Sequence, residues 1–71
     1  MRAPLPLTTR EKQVLRLCRN GLIPKQIARE LRTSYHTVKN HLTNIRHKLG
    51  AKDTHQAVLI DYVMQEYLGE P

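Results

Sequence analysis

The residues from Tyr35 to Leu49 include several side chains that can read DNA bases and contain no Asp or Glu. In a helix, successive residues turn by about 100°, which makes one side of this stretch entirely polar. That side carries His36, Lys39, Asn40, Thr43 and His47. Lys39 can donate to guanine, Asn40 can pair with adenine, and Thr43 can contact a base edge or the thymine methyl group. An ordinary solvated helix of this length would normally include acids. We therefore predict that this side binds nucleic acid, with His36 as a fourth base-reading candidate.

A second polar row runs along one flank of the same stretch. It consists of Thr37, His41, Asn44 and Lys48, which have the reach to bind phosphate oxygens. A helix fits the major groove of B-form DNA, whereas the major groove of A-form RNA is too deep and narrow for side chains to read. Binding of single-stranded RNA usually needs exposed aromatic residues, and Tyr35 is the only candidate. The predicted partner is therefore double-stranded DNA.

Basic and acidic residues are segregated along the chain. All 12 Lys and Arg lie within residues 1–52 together with two acids, whereas residues 53–71 carry four acids and no Lys or Arg. The formal net charge of the whole chain is +6. Such segregation creates a field that favours a polyanionic partner at one end of the molecule. By itself the charge pattern is compatible with DNA, RNA or an anionic membrane surface.

Metal binding and catalysis find little support in the residue types. The four histidines include no pair at the i, i+4 spacing of a helical zinc motif, and the single cysteine, Cys18, lies among apolar neighbours. We therefore predict no metal site and no cofactor. The six acids are too few and too scattered for acid–base catalysis, and none forms a nuclease-like metal site beside Asn40 and His41. The chain is predicted not to be an enzyme.

The lone cysteine and the hydropathy pattern bear on location. One cysteine cannot form an intramolecular disulfide, which fits a reducing compartment. No apolar run exceeds the four residues 57–60, which is far too short for a membrane-spanning helix or a secretory signal. The sequence predicts a cytoplasmic protein without a membrane partner, associated with the nucleoid when it is bound to DNA.

Seventy-one residues allow one small domain, and its core must be mostly aliphatic because the chain has no Phe and no Trp. Such cores are usually helical, since helices satisfy their own backbone hydrogen bonds. We predict an all-α domain of four helices over residues 8–68. An extended arm precedes it over residues 1–7, which carry two prolines.

The first two helices are marked by residues that begin and end helices. Thr8 and Glu11 have the spacing of a capping box, and Gly21 suits the left-handed position after a helix, so the first helix runs to about Asn20. Pro24 suits the first position of a shorter second helix. The buried stripe of that helix is predicted to be Ile27, Ala28 and Leu31.

After a two-residue turn, Ser34 can cap a longer third helix, which Gly50 ends. Its apolar residues follow an i, i+4, i+7, i+11 pattern and are Val38, Leu42, Ile45 and Leu49. A short helix, a tight turn and a longer helix with a basic outer face are typical of a helix-turn-helix. Asp53 and Gln56 resemble a second capping box, which begins a fourth helix over about residues 54–67.

The fourth helix carries more apolar surface than one buried face requires. Beyond Ala57 and Val58, which suit the core, it has a stripe at i, i+3, i+4 and i+7. The stripe consists of Ile60, Val63, Met64 and Tyr67. We predict that it is a homodimer contact, and the alternative is a deeply buried helix. In a DNA-bound dimer the two third helices would lie about 34 Å apart, one turn of DNA.

The chain resembles the LuxR-type (GerE-type) helix-turn-helix of bacterial transcription regulators in the runs LTTREKQVLRLCRNG, KQIARELRTS and TVKNHLTNIRHKLGAKDTHQAV. The resemblance covers residues 7 to about 60. It implies a four-helix DNA-binding domain that is usually used as a dimer on inverted half-sites, and it makes RNA polymerase a further candidate partner. It implies base contacts from Lys39, Asn40 and Thr43. It implies phosphate contacts from Lys25, Thr37, His41 and Lys48.

Three residues depart from the family pattern. Pro24 stands where a polar residue is common, so a phosphate contact from that side chain is lost. Thr33 replaces a usual apolar residue, which should loosen the packing of the turn, and Thr54 stands where Arg is common. Met1 and the short arm favour a complete single-domain regulator over a C-terminal fragment.

Two other functions fit the same pattern. One is a protein-interaction module or antagonist that heterodimerises through the fourth helix. The other is region 4 of a sigma factor, which also uses a four-helix unit, although the run from Thr37 to Gly50 favours the LuxR type. The salt dependence of DNA affinity separates DNA binding from protein binding, because affinity that rests on phosphate contacts falls steeply with ionic strength.

Overall fold

The computed structural model describes residues 6–67, which form four α-helices. They are α1 (Thr9–Arg19), α2 (Pro24–Glu30), α3 (Tyr35–Leu49) and α4 (Thr54–Tyr67). No strand occurs within residues 6–67, and the predicted all-α fold is confirmed. None of the helices described is long and apolar enough to cross a membrane.

The predicted N-terminal arm is described only at its last two residues. Residues 1–5 of the predicted arm lie outside the described range, and Pro6 is exposed. Leu7, the last residue of the predicted arm, is half-buried and packs against the hydrophobic core. An apolar side chain next to the first helix therefore belongs to the domain rather than to the arm.

Local signals at the ends of α1 and α3 are confirmed. Thr8 Oγ1 accepts a hydrogen bond from the Glu11 amide at 3.1 Å, and Glu11 Oε1 accepts one from the Thr8 amide at 2.9 Å. This reciprocal pair is the predicted capping box. Gly21 after α1 has φ +92° and Gly50 after α3 has φ +68°. Glycine adopts these left-handed conformations without a steric penalty, which is why both helices end there.

The turn between α2 and α3 is closed by a residue other than glycine. Arg32 has φ +55°, its amide donates to the Arg29 carbonyl at 3.3 Å, and the Thr33 amide donates to the Ala28 carbonyl at 2.9 Å. These two bonds form a Schellman motif, whose left-handed position usually holds glycine because a Cβ is strained there. The helix-turn-helix of this chain therefore contains a strained arginine in its turn.

Side chains cap the starts of α3 and α4. Ser34 Oγ accepts from the Thr37 amide at 3.0 Å, and Asp53 Oδ1 accepts from the Gln56 amide at 2.8 Å. The second predicted capping box forms only in part. Gln56 Oε1 accepts from the Lys52 amide at 2.7 Å, one residue before the position that the box requires.

Helix α3 lies at the centre of the fold and packs against α1, α2 and α4. Its buried residues are the four whose spacing predicted the core side, Val38, Leu42, Ile45 and Leu49. The other buried apolar residues are Val14, Leu15, Ile27, Ala28 and Ala57. Leu31 and Val58, two further predicted core residues, are half-buried at the edge of this core. Burying one large aliphatic side chain contributes about 1.5–3 kcal/mol. Four such side chains on one side of α3 therefore fix which side of the helix faces the core.

Candidate nucleic-acid interface

The side of α3 opposite its buried residues faces solvent. His36, Lys39, Asn40 and His47 are exposed, and Thr43 is half-buried. We call these five residues the outer face of α3. Because the opposite side is anchored in the core, the outer face is presented as a rigid surface, and it contains no acidic side chain. Base contacts from this face remain a prediction.

The ammonium group of Lys39 lies near the ring of Tyr35. The distance from Lys39 Nζ to the centre of the Tyr35 ring is 5.8 Å, which is within the range of a cation–π interaction. Residues four apart are neighbours on a helix surface, so the contact is local to the first turns of α3. Tyr35 is 46% exposed, and slightly more than half of it is covered by the protein.

Thr43 has a narrower range of possible contacts than its residue type suggests. Its hydroxyl donates to the Lys39 carbonyl at 3.1 Å and accepts a hydrogen bond from Nη2 of Arg46 at 3.4 Å. Because the hydroxyl proton is used within the helix, a base would meet its methyl group or a remaining lone pair. Arg46 is half-buried and absent from the predicted site, although its spacing of seven residues from Lys39 places it on the same side.

The predicted phosphate-binding residues differ in accessibility. Lys25 on α2 and Asn44 on α3 are exposed, whereas Thr37 and His41 are half-buried. The Ser34 hydroxyl donates to Thr37 Oγ1 at 2.8 Å. Since Thr37 accepts in this bond, its own hydroxyl proton can be donated to an outside oxygen. These residues lie on two helices of the helix-turn-helix, and their phosphate contacts remain a prediction.

Lys48, the last predicted phosphate ligand, is already paired with an acid of the protein. Its Nζ donates to Oε1 of Glu11 at 2.8 Å, and Glu11 is only 3% exposed. Burial raises the pKa of Glu11, but hydrogen bonds from Lys48 and from the Thr8 backbone, with the positive charge of Lys48, outweigh it. The pKa of Glu11 consequently lies below its ordinary value of 4.5. Lys48 is therefore first an internal counter-ion, and a phosphate contact could use only its remaining N–H groups.

The residues of the predicted apolar stripe on α4 differ in burial. Ile60 and Met64 are half-buried and pack against the core, whereas Val63 is 52% exposed. Leu59 and Tyr62, which lie outside the predicted stripe, are 51% and 49% exposed. The exposed apolar surface of α4 is therefore Leu59, Tyr62 and Val63, which we call the α4 patch. The i, i+3, i+4 spacing of these residues places them on one side of a helix, as the spacing of the predicted stripe also does. Spacing alone therefore does not tell which of the two sets is exposed.

The α4 patch is bordered by α1. The guanidinium carbon of Arg19 lies 5.3 Å from the centre of the Tyr62 ring, and Arg19 Nη1 lies 3.8 Å from Asp61 Oδ2. These contacts hold Tyr62 against α1, and about half of Tyr62 stays exposed. Tyr67 is the last residue of α4, and its side chain lies outside the described part of the structure.

The described residues bring no metal-binding cluster together. Within residues 6–67, no three His, Cys, Asp or Glu side chains are arranged to hold a metal ion. Burial raises the pKa of the Cys18 thiol, which disfavours the reactive thiolate. The chemistry that the outer face of α3 offers is hydrogen bonding and positive charge.

Residues 5–60 match the family described as bacterial regulatory proteins, luxR family. The chain is 43% identical over 60 residues to the uncharacterized transcriptional regulatory protein YvfU of Bacillus subtilis (strain 168), an alignment that covers 84% of this chain and 30% of YvfU. It is 45% identical over 53 residues to the spore germination protein GerE of the same strain, covering 75% of this chain and 72% of GerE. The solved structure "Structure of Transcription factor, GerE" has a TM-score of 0.79 and 35% sequence identity, covering 84% of this chain and 90% of that chain.

The matches support the resemblance drawn from the residue pattern. They cover all three sequence runs on which that resemblance depends, and a region of the LuxR type explains them better than region 4 of a sigma factor. The chain spans less than a third of YvfU and 27% of the transcriptional regulatory protein DesR of Bacillus subtilis (strain 168), to which it is 43% identical over 53 residues.

Proposed function

The chain belongs to the LuxR family of bacterial regulatory proteins and forms the DNA-binding helix-turn-helix of a transcription regulator, and we propose that α3 enters the major groove and reads base sequence. The outer face of α3 carries this proposal. It is polar, lacks acids, and is directed outward by the four buried residues on the opposite side. A rigid helix with these properties matches the width and the negative field of the B-DNA major groove.

Two exposed hydrogen-bonding side chains near the start of α3, Lys39 and Asn40, set the proposed readout. Lys39 donates to guanine O6 and N7, and Asn40 forms a bidentate pair with adenine. Thr43 contacts a thymine through its methyl group, because its hydroxyl proton is held by the helix. His36, exposed one turn before Asn40, completes the proposed base-reading set.

Phosphate contacts place the domain on the duplex without selecting a sequence. We assign them first to Lys25 and Asn44, which are exposed, and then to Thr37 and His41, which offer donors at the protein edge. Lys48 contributes less than its charge suggests, because Glu11 already uses one of its hydrogen bonds.

The α4 patch supports a homodimer. It presents Leu59, Tyr62 and Val63 together on one side of a helix, each about half exposed. A twofold axis would bring the same patch of a second copy against it, which is how most small homodimers associate. Such a dimer would read two inverted half-sites about one DNA turn apart.

A regulator that binds promoter DNA works where RNA polymerase does, so RNA polymerase is a further proposed partner and the cytoplasm, at the nucleoid, the proposed location. We propose no catalytic activity. The exposed α4 patch also favours a second candidate function, an interaction module or antagonist that heterodimerises through α4.

Selection of bound sequences from a random duplex pool tests the proposal. We expect enrichment of an inverted repeat whose half-sites are about one helical turn apart. We also expect the logarithm of the affinity to fall linearly with the logarithm of the salt concentration. An unenriched pool together with a salt-independent signal would reject DNA reading and leave the interaction module as the better account.

A further inference from the structure

Tyr35 and Lys39 form a pair on the exposed surface of α3. Lys39 Nζ lies 5.8 Å from the centre of the Tyr35 ring, and the two residues are one helical turn apart. Tyr35 occupies the first position of α3, directly after the Ser34 cap that anchors the start of the helix. The ring is thus held by a fixed part of the backbone, while Lys39 reaches it with a long, flexible side chain.

A lysine is costly to order at a base edge. Its side chain has four rotatable bonds, and immobilising it costs conformational entropy that opposes binding. An aromatic ring that attracts the ammonium group restricts the side chain before DNA arrives, and preorganisation of this kind reduces the loss on binding. The ring face is not a conventional hydrogen-bond acceptor, and the N–H groups of Lys39 that point away from the ring stay available to guanine.

We propose that Tyr35 is a positioning residue that acts on base recognition through Lys39. The inference rests on the proposed role of Lys39 in reading bases. It assigns Tyr35 a part in specificity that neither its position at the start of the helix nor its residue type alone implies. The chemistry requires only the aromatic face, and the phenolic hydroxyl has no part in it.

A different role for Tyr35 makes an opposite prediction. If the phenolic hydroxyl donated to a DNA phosphate, Tyr35 would act independently of Lys39, and its removal would weaken binding to every sequence alike. The two roles are separated by Tyr35→Phe, which keeps the ring and removes the hydroxyl, and by Tyr35→Leu, which removes both the ring face and the hydroxyl.

The test measures the affinity of the 71-residue chain for two duplexes. One is the selected duplex, and the other is altered at the base pair for which Lys39→Ala abolishes the sequence preference of the protein. Tyr35→Phe, Tyr35→Leu, Lys39→Ala and the double variant Tyr35→Leu/Lys39→Ala are compared at one salt concentration. Thermal unfolding of each variant shows that the domain remains folded at the assay temperature.

We expect Tyr35→Leu to weaken binding to the selected duplex by about two- to fivefold and to reduce discrimination at the base pair read by Lys39. Tyr35→Phe should retain both properties. In the Lys39→Ala background, Tyr35→Leu should have no further effect, which is the signature of one residue acting through the other.

Three results would overturn the inference. They are an equal effect of Tyr35→Leu with and without Lys39, a loss in Tyr35→Phe as large as in Tyr35→Leu, and tighter binding by Tyr35→Leu, which would mean that the ring holds Lys39 away from the bases. If Lys39→Ala itself leaves affinity and base preference unchanged, the proposed role of Lys39 fails instead, and the inference with it.

Discussion

Lys48 in the last turn of α3 donates a hydrogen bond to the buried carboxylate of Glu11 in the first turn of α1, with 2.8 Å between Nζ and Oε1. The same oxygen accepts the Thr8 amide at 2.9 Å, so Glu11 closes the cap of α1 and holds the end of α3 at once. Helix α3 is thereby fixed at its C-terminal end by a polar contact, in addition to its apolar core. The stability of the domain and the position of the outer face of α3 are coupled through one carboxylate.

Replacing Lys48 by methionine should destabilise the domain. Lys48→Met keeps most of the aliphatic stem but leaves the charge of Glu11 buried without its counter-ion. Removing one partner of a fully buried ion pair costs about 3–5 kcal/mol. The Lys48 side chain is 26% exposed, so we expect a smaller loss, about 2 kcal/mol in the free energy of unfolding measured with urea.

The matched control is Lys25→Met, which removes the same charge from an exposed position on α2 and should change the unfolding free energy by less than about 0.5 kcal/mol. The double variant Glu11→Gln/Lys48→Met should be more stable than Lys48→Met alone, because no uncompensated charge is left. If Lys48→Met unfolds at the same urea concentration as the unmodified chain, the pair does not stabilise the fold.

Stability should also fall in acid because of Glu11. The pKa of Glu11 in the folded domain is lowered below its ordinary 4.5, whereas the unfolded chain keeps the ordinary value. The unfolded state therefore binds more protons between the two pKa values, and stability rises with pH there. The stability that the ionised Glu11 contributes is complete above the pKa of Glu11 in the unfolded chain. It is lost as pH falls through the pKa of Glu11 in the folded domain. Urea unfolding of Glu11→Gln at a series of pH values should show a shallower loss in acid, and an unchanged slope would contradict the pairing.

Features that depend on a few neighbouring residues could be predicted from the sequence. The capping box of Thr8 and Glu11, the helix start at Pro24 and the helix end at Gly50 all form as predicted, because each is decided within about four residues. The pairing of Lys48 with Glu11 could not be predicted in this way. It joins residues 37 apart, and periodicity places Lys48 on a polar flank without saying which acid it meets.

Helix α4 shows a second limit of prediction from the sequence. Apolar residues occur on most of its sides, and periodicity does not tell which side packs against the core. Ile60 and Met64 therefore fit a dimer stripe by spacing, although they pack against the core in the fold. Leu59 and Tyr62 are exposed but were not part of the predicted stripe. The outer face of α3 was predictable because only one side of that helix is apolar.

Replacing Arg32 by glycine should stabilise the domain. Arg32 is held at φ +55°, where a residue with a Cβ is strained by about 1–2 kcal/mol. Glycine removes the strain but loses more chain entropy on folding, about 0.5–1 kcal/mol, so a net gain of about 0.5–1 kcal/mol remains. Arg29→Gly, within α2, is the control and should lower stability by about 1 kcal/mol. Thermal unfolding of both variants checks the opposite signs, and a loss in Arg32→Gly would show that the arginine side chain makes a stabilising contact.

Charges introduced on the α4 patch should prevent dimers without unfolding the monomer. Leu59→Glu/Val63→Glu alters two residues that are about half exposed, so it should cost little stability while placing like charges at a twofold contact. Sedimentation should show a monomer, and cooperative binding to an inverted repeat should be lost while binding to one half-site remains. Met64→Glu is the contrasting variant, and it should destabilise the fold because Met64 packs against the core. Unchanged sedimentation and cooperativity in the double variant would place the dimer contact elsewhere.

Base reading and phosphate binding should respond differently to the loss of one positive charge. Lys39→Ala should weaken binding to the selected site by about 1–3 kcal/mol and relax the preference at one base pair, because it removes donors to a base edge. Lys25→Ala should weaken binding to all sequences alike and reduce the slope of log affinity against log salt by about one. Lys12→Ala, at an exposed position on α1, removes the same charge outside the helix-turn-helix and should leave both quantities nearly unchanged. Titrations of the selected and altered duplexes at several salt concentrations give both quantities for each variant. Equal, sequence-independent losses for Lys39→Ala and Lys25→Ala would show that Lys39 binds phosphate and that the bases are read by other residues of α3.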